Sequence, residues 1–171
     1  MGLIKSYFPE LSQEQLAQFE DLSSLYLDWN DKINLISRKD TQYIEERHFV
    51  HSLSITKAIK FNSQSQVLDI GTGGGFPGLP LAIYYPDSRF YLVDSIGKKI
   101  MVVDNIIKEL GLKNVTAHHM RVEQFQGEVN YITCRAVAPA LELLRWTRSN
   151  KKLKHKKPPL KNSINNMSPL K

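Results

Sequence analysis

Three consecutive glycines, Gly73-Gly74-Gly75, lie within the stretch Asp69-Ile70-Gly71-Thr72-Gly73-Gly74-Gly75-Phe76-Pro77-Gly78. Glycine takes backbone angles that other residues resist, and its missing Cβ lets a ligand reach the main chain. A turn of this kind cradles a small molecule with backbone groups. The dinucleotide fingerprint G-x-G-x-x-G requires a glycine at position 76, where Phe76 stands, so an NAD oxidoreductase is disfavoured. A second chemical group is Asp94, which closes the apolar run Arg89-Phe90-Tyr91-Leu92-Val93, 19 residues after Gly75. An acid at that distance sits at the end of the second strand and accepts hydrogen bonds from ribose hydroxyls. The competing role for Asp94 is to cap the helix that follows from near Gly97. A third is Arg135, which closes Tyr131-Ile132-Thr133-Cys134. A charge at the carboxyl edge of an apolar strand stands where α/β sheets bind ligands. It can pair with a carboxylate or phosphate or stack on a base, or it can serve a local salt bridge.

The acid two positions before the first glycine adds discrimination. Asp69, Gly71, Thr72, Gly73 and Gly75 write D-x-G-T-G-x-G, the variant with which class I methyltransferases hold S-adenosylmethionine (AdoMet); a glycine-rich turn of another α/β protein is the alternative. Two other groups carry less. His48 and His51, three apart, share a face of a helix, but no Cys or further His lies nearby at ligand spacing, so no metal is expected and polar packing is the reading. Cys134, at the end of a strand, reads as a buried structural thiol.

The elements that must position these residues follow from periodicity. Ser12 with Gln15 forms a capping box opening a helix, and Leu16, Phe19, Leu22, Tyr26, Trp29 and Ile33 give it an apolar stripe. Asp40 is placed to cap a second helix, Thr41 to Ile59. Val67 to Ile70 is a buried strand, the glycine turn leads into a helix containing Pro77 and Pro80 in its first turn, and Arg89 to Asp94 is the second strand. Lys98 to Leu110 is helical, ending at Gly111. Asn114 to His119 and Tyr131 to Cys134 are strands three and four, separated by a short turn at Met120–Phe125. Pro139 opens a helix to about Ser149. Alternating strands and helices predict an α/β protein with a mostly parallel sheet. The division is a helical cap, 1–62, an AdoMet-binding Rossmann-like unit, 63–150, compact with the cap, and a tail, 151–171.

Composition separates the tail from the rest. The 171 residues carry a formal net charge of +6. Residues 1–150 hold 16 Lys+Arg and 17 Asp+Glu, whereas 151–171 hold seven lysines and no acid. The basic balance therefore belongs to the tail, and a charge argument for nucleic-acid binding does not extend to the body. The tail has no apolar period and is expected to be disordered. There is no apolar run of membrane-spanning length and no secretion signal, and one cysteine suits a reducing cytoplasm.

With these residues in view, the chain resembles the bacterial small-subunit rRNA guanine-N7 methyltransferase G family, also called glucose-inhibited division protein B. The matching motifs are Trp29-Asn30…Asn34-Leu35, Arg47-His48…Ser52-Leu53, Asp69 through Gly78, Leu92-Val93-Asp94-Ser95 with Lys98-Lys99, Arg121-Val122-Glu123 and Arg135-Ala136, spread over roughly residues 20–148. The resemblance implies a class I Rossmann-like methyltransferase that uses AdoMet to methylate N7 of a guanine in 16S rRNA, within the small ribosomal subunit or its precursor. It implies that Gly71, Gly73 and Phe76 line the methionine end of the cofactor, Asp94 holds the ribose, Val122 and Glu123 flank the adenine, and Arg135 lies beside cofactor and substrate, a candidate for positioning the latter. No obligate protein partner is evident. His51 departs from the aspartate common in the family. The family's closing strands are not found after Ser149, and residues 151–171 look like foreign or frameshifted sequence. An AdoMet-binding remnant without turnover, and a methyltransferase acting on another substrate, therefore stand as alternatives.

Overall fold

Val67, Leu68 and Ile70 make the central strand because both of its faces are covered. In a computed structural model, which describes residues 1–148 apart from 34, 36, 38, 138 and 139, β1 (Gln66–Ile70) pairs in parallel with β2 (Arg89–Asp94) on one side and with β4 (Tyr131–Cys134) on the other. β3 (Val115–His119) lies beyond β2, giving the parallel order β3-β2-β1-β4. β1 aligns Ile70 with Val93 and Cys134, so all three strands end together and their following loops meet at one edge.

The helices fill both faces. Before the sheet come α1 (Gly2–Tyr7) and α2 (Gln13–Asn30), the latter opened by the Ser12–Gln15 capping box. A 3-10 turn, Thr41–Tyr43, leads into a π-helical turn, Glu45–Val50, and then into the short α3 (His51–Leu53) and α4 (Ile55–Ala58). After β1 come α5 (Gly78–Tyr84) and, after β2, α6 (Gly97–Glu109). A 3-10 turn at Val122–Gln124 precedes β4, and α7 (Ala140–Arg148) follows it. One core joins Val67 of β1 to Leu79 and Ala82 of α5, Val102 and Ile106 of α6, and Phe19, Leu22, Tyr26 and Phe49 of the N-terminal helices. Leu68, Ile70 and Val93 point the other way, against Val122, Phe125 and Val129, as the two-residue period of a strand requires.

Three expectations are refined or corrected here. Thr41 to Ile59 is helical as far as Ala58 but is not one regular α-helix: the backbone stays right-handed at Ile44, Val50, His51 and Ser54 while its turns pass from 3-10 through π to α. Near its end Ser54 Oγ donates to the His51 carbonyl at 2.7 Å and Thr56 Oγ1 to that of Leu53 at 2.8 Å, bonds of the kind that disturb a regular helix. Asp40 makes no capping bond and instead pairs with Arg47. Cys134 is exposed rather than buried, because β4 is an outer strand among the described residues. The absence of further closing strands and the disorder expected for 151–171 concern residues outside the described ones.

Candidate functional site

At the shared carboxyl edge of β1, β2 and β4 lies a cleft of about 440 Å³, a size typical of small-molecule sites. Gly71, Gly73, Phe76, Asp94, Val122, Glu123 and Arg135 all line it, so one space gathers the seven residues that the resemblance assigns to cofactor and substrate. They arrive from different elements: the turn after β1, the end of β2, the 3-10 turn after β3, and the end of β4.

Asp94 is tied to the glycine turn. Its Oδ2 accepts from the Gly73 N–H and its Oδ1 from the Ile96 N–H, each at 2.8 Å. The second bond reaches the residue that precedes α6, so the carboxylate does part of a cap's work as well as facing the cleft. Each oxygen keeps a further lone pair. Gly73 has φ +58°, and a Cβ built on it would meet only the Gly71 carbonyl oxygen, at 3.9 Å. The glycine therefore allows the left-handed turn and leaves the cleft clear above it.

Asp69 has a structural part that the motif alone did not reveal. The residue is wholly buried. Its Oδ1 accepts from Thr133 Oγ1 at 2.9 Å and its Oδ2 from the Gly78 N–H at 3.1 Å, so one carboxylate joins β1, β4 and the start of α5. A Cβ on Gly78 would fall 2.8 Å from Leu92 Cγ and 2.9 Å from Asp69 Oδ2, so only glycine admits this approach. Burial pushes the Asp69 carboxyl up to about 6, against the hydrogen bonds from Thr133 and Gly78 that favour its ionised form. An acid inside the apolar run Val67-Leu68-Asp69-Ile70 was the signal for this role.

Phe76 is 3% exposed and belongs as much to the cap as to the turn. Its ring stacks on Tyr26 at 4.7 Å between centroids and lies 4.7 Å from the His48 ring. The Tyr26 hydroxyl donates to the Gly74 carbonyl, fixing the turn from the cap side. Arg135 places its guanidinium 5.2 Å from the centre of the Phe76 ring. Its Nη2 lies 3.0 Å from His48 Nδ1, and its Nη1 donates to the Arg47 carbonyl at 3.3 Å. The salt bridge to an acid that competed for Arg135 is not formed among the described residues. His48 has the packing role expected of it, but His51 is exposed and shares none of it. Desolvation by the protein packed on one side of this exposed residue, and after it the charge of Asp69, hold the Cys134 thiol above its ordinary value, which makes a poor nucleophile. Lys99, part of the Lys98-Lys99 motif, also lines the cleft, as do Met120 and Trp146, which no motif marks. No group of three or more His, Cys, Asp or Glu suited to a metal ion occurs among the described residues.

A parallel sheet in this order, with a glycine turn after its central strand and an acid ending the next, defines a class I AdoMet-dependent methyltransferase. The same fold recurs in a precorrin-6y C5,15-methyltransferase from Geobacter metallireducens, with a TM-score of 0.52 at 14% identity, covering 71% of this chain and 60% of that one. It recurs also in P. horikoshii TYW2 in complex with MeSAdo, with a TM-score of 0.50 at 18% identity, covering 58% and 38%.

The chain belongs to the rRNA small subunit methyltransferase G family, whose pattern it matches over residues 15–158. Proteins named ribosomal RNA small subunit methyltransferase G are 53% identical over 148 residues in Christiangramia forsetii, covering 86% of this chain and 70% of that one. The identity is 50% over 150 residues in Bacteroides fragilis, covering 88% and 73%, and 48% over 164 residues in Flavobacterium johnsoniae, covering 96% and 78%. The family match and the Flavobacterium alignment both extend into residues 151–171, the stretch that the missing closing strands made look foreign or frameshifted.

Proposed function

We propose that this chain transfers a methyl group from AdoMet to N7 of a guanine in 16S rRNA, within the small subunit or its precursor. The observation that carries the reading is the convergence, in a chain of this family, of the glycine turn, Asp94 and the Val122–Glu123 turn on one cleft. The residues present suit AdoMet. Gly71 and Gly73 leave the main chain open at the methionine end. Asp94 retains acceptor capacity toward ribose hydroxyls while bound to the turn. Val122, buried in the cleft wall, and the exposed Glu123 are placed for the apolar face and the polar edge of the adenine. Phe76 supports the methionine end from below.

AdoMet, when bound, supplies an electrophilic methyl group on a sulfonium. Guanine N7 attacks with a lone pair and has no proton to lose, so the site needs alignment and exclusion of water rather than a base. The titratable groups around the cleft agree with that demand. Asp94 is engaged by two amides, and the His48 nitrogen nearest Arg135 is already used. Arg135, beside Phe76 at the end of β4, is the group we assign to the incoming base or its phosphate. Lys99 and Arg121, which line the same cleft, add charge for the RNA backbone. The base must leave its stack to reach the cleft.

The cap at 1–62 and the cofactor-binding unit at 63–150 act in this reading as one body, supported by the core they share. A cytoplasmic site of action belongs to the same proposal: the rRNA is there, and no helix among the described residues is long and apolar enough to cross a membrane. The test is methyl transfer to undermethylated 30S subunits, against free rRNA and small-molecule acceptors, with the modified base mapped. Methyl incorporation at guanine N7 in the subunits is expected; incorporation only into small molecules would overturn the reading.

A further inference from the structure

The cap does more to Arg135 than cover it. Two acceptors meet the guanidinium, His48 Nδ1 at 3.0 Å from Nη2 and the Arg47 carbonyl at 3.3 Å from Nη1. Both come from the single π-helical turn Glu45–Val50, a wide turn of the kind that recurs at functional sites. A guanidinium can only donate, so Nδ1 must accept. The imidazole is therefore neutral, with its proton on Nε2, and that nitrogen is buried without a hydrogen-bond partner among the described residues. His48 is 8% exposed, and burial followed by the charge of Arg135 pulls it down to about 4, so the acceptor persists through neutral pH. Its ring and the guanidinium also share one support, Phe76. A free Arg side chain samples many rotamers, and these contacts restrict the guanidinium before substrate arrives.

We propose that His48 is a positioning residue for methyl transfer: through Nδ1 it accepts from Nη2 of Arg135 and, with the Arg47 carbonyl, fixes the guanidinium over Phe76 at the cleft. The proposal rests on the assignment of Arg135 to the substrate. His48 acts only through that side chain, and the remaining guanidinium N–H groups serve the base or its phosphate.

The experiment compares methyl transfer to undermethylated 30S subunits, and AdoMet affinity by calorimetry, for His48→Leu, His48→Asn, Arg135→Ala and the double variant His48→Leu/Arg135→Ala. Leucine removes the acceptor and keeps apolar bulk, whereas asparagine puts an oxygen near the position of Nδ1. Loss of a hydrogen bond to a charged group predicts a fall in kcat of roughly tenfold to a hundredfold for His48→Leu, with AdoMet affinity within about twofold of wild type. Asparagine should restore most of the rate, and His48→Leu should cost nothing further once Arg135 is alanine. A wild-type rate in His48→Leu, or multiplying losses in the double variant, overturns the positioning role. A wild-type rate in Arg135→Ala removes Arg135 from the substrate and this proposal with it; a slow Arg135→Ala beside a fast His48→Leu removes this proposal alone. If His48→Leu does not fold, His48→Asn and His48→Gln carry the test, since glutamine places its polar atoms near Nε2 instead. Asparagine must then exceed glutamine, and equal rates overturn the proposal.

Discussion

Replacing Asp94 by alanine perturbs two functions at once, and the structure separates them. In the free protein the carboxylate accepts two short amide bonds, from Gly73 and Ile96, each at 2.8 Å. Hydrogen bonds to a charged acceptor contribute about 1.5–3 kcal/mol each. The residue is 8% exposed and lines an open cleft, so water can satisfy part of what alanine leaves unpaired. The expected loss of folding stability is therefore about 2–4 kcal/mol. Ribose binding adds bonds to the remaining lone pairs, and losing these should weaken AdoMet by about 1.5–3 kcal/mol, roughly tenfold to a hundredfold or more. Asp94→Asn keeps one acceptor oxygen but turns an NH₂ toward the second amide, so its stability should fall less than that of alanine while its affinity still drops. The assay is calorimetric titration with AdoMet beside thermal unfolding of the same samples. A folded Asp94→Ala variant that binds AdoMet as wild type does, yet melts earlier, would show that Asp94 only ties the turn to α6, and the ribose role would be lost.

Other substitutions test neighbouring parts of the site. Gly73→Val should abolish AdoMet binding in calorimetry, because a β-branched residue resists φ +58° and its side chain enters the cleft; normal binding would remove the turn from the cofactor's cradle. Arg135→Ala should lower methylation more than AdoMet affinity, and equal losses would assign it to the cofactor alone. The pH dependence of folding should change in His48→Leu. In wild type the unfolded chain binds more protons at His48 between about 4 and its ordinary 6.5, so that group's contribution is full above 6.5 and is lost as pH falls toward 4. Asp69 has the opposite sense: between its ordinary 3.8 and about 6 the folded state binds more protons, so stability rises as pH falls through that window. Urea unfolding at pH 7 and pH 5 should therefore show a more favourable change on acidification in His48→Leu than in wild type; identical changes would refute the neutral, buried state of His48.

The glycine-turn side of this site was legible because it is local. A glycine turn, the acid before it and an acid 19 residues after it are fixed by the geometry of one strand-turn-helix and the next strand, and spacing reports them. The cap side was not. Tyr26 reaches Gly74 across 48 residues and His48 reaches Arg135 across 87, and no periodicity encodes such pairs: Tyr26 read only as one position in an apolar stripe. The short α1 was missed for a related reason. Its six residues lack a side-chain cap, and it is held instead from a distance, by the bond from the Ile4 N–H to Glu45 Oε1 at 2.9 Å. Cys134 was placed in the interior because an apolar strand was assumed to be covered on both sides, whereas strand order, which decides cover, is not written in any one strand.

The seating of Phe76 between Tyr26 and His48 has a consequence for the order in which the chain can assemble as it is made. The cap's aromatic cluster of Phe19, Tyr26 and Phe49 emerges first from a translating ribosome, but the ring that completes it lies 27 residues beyond Phe49. At the usual 5–20 residues per second that is a wait of roughly 1–5 s, during which the N-terminal helices present an apolar gap and lack a bond to Gly74. The residue that ends the wait belongs to the glycine turn itself. The cap therefore completes its own core only when the turn we assign to the methyl donor is in place, and a nascent chain that stalls before Phe76 leaves that gap open.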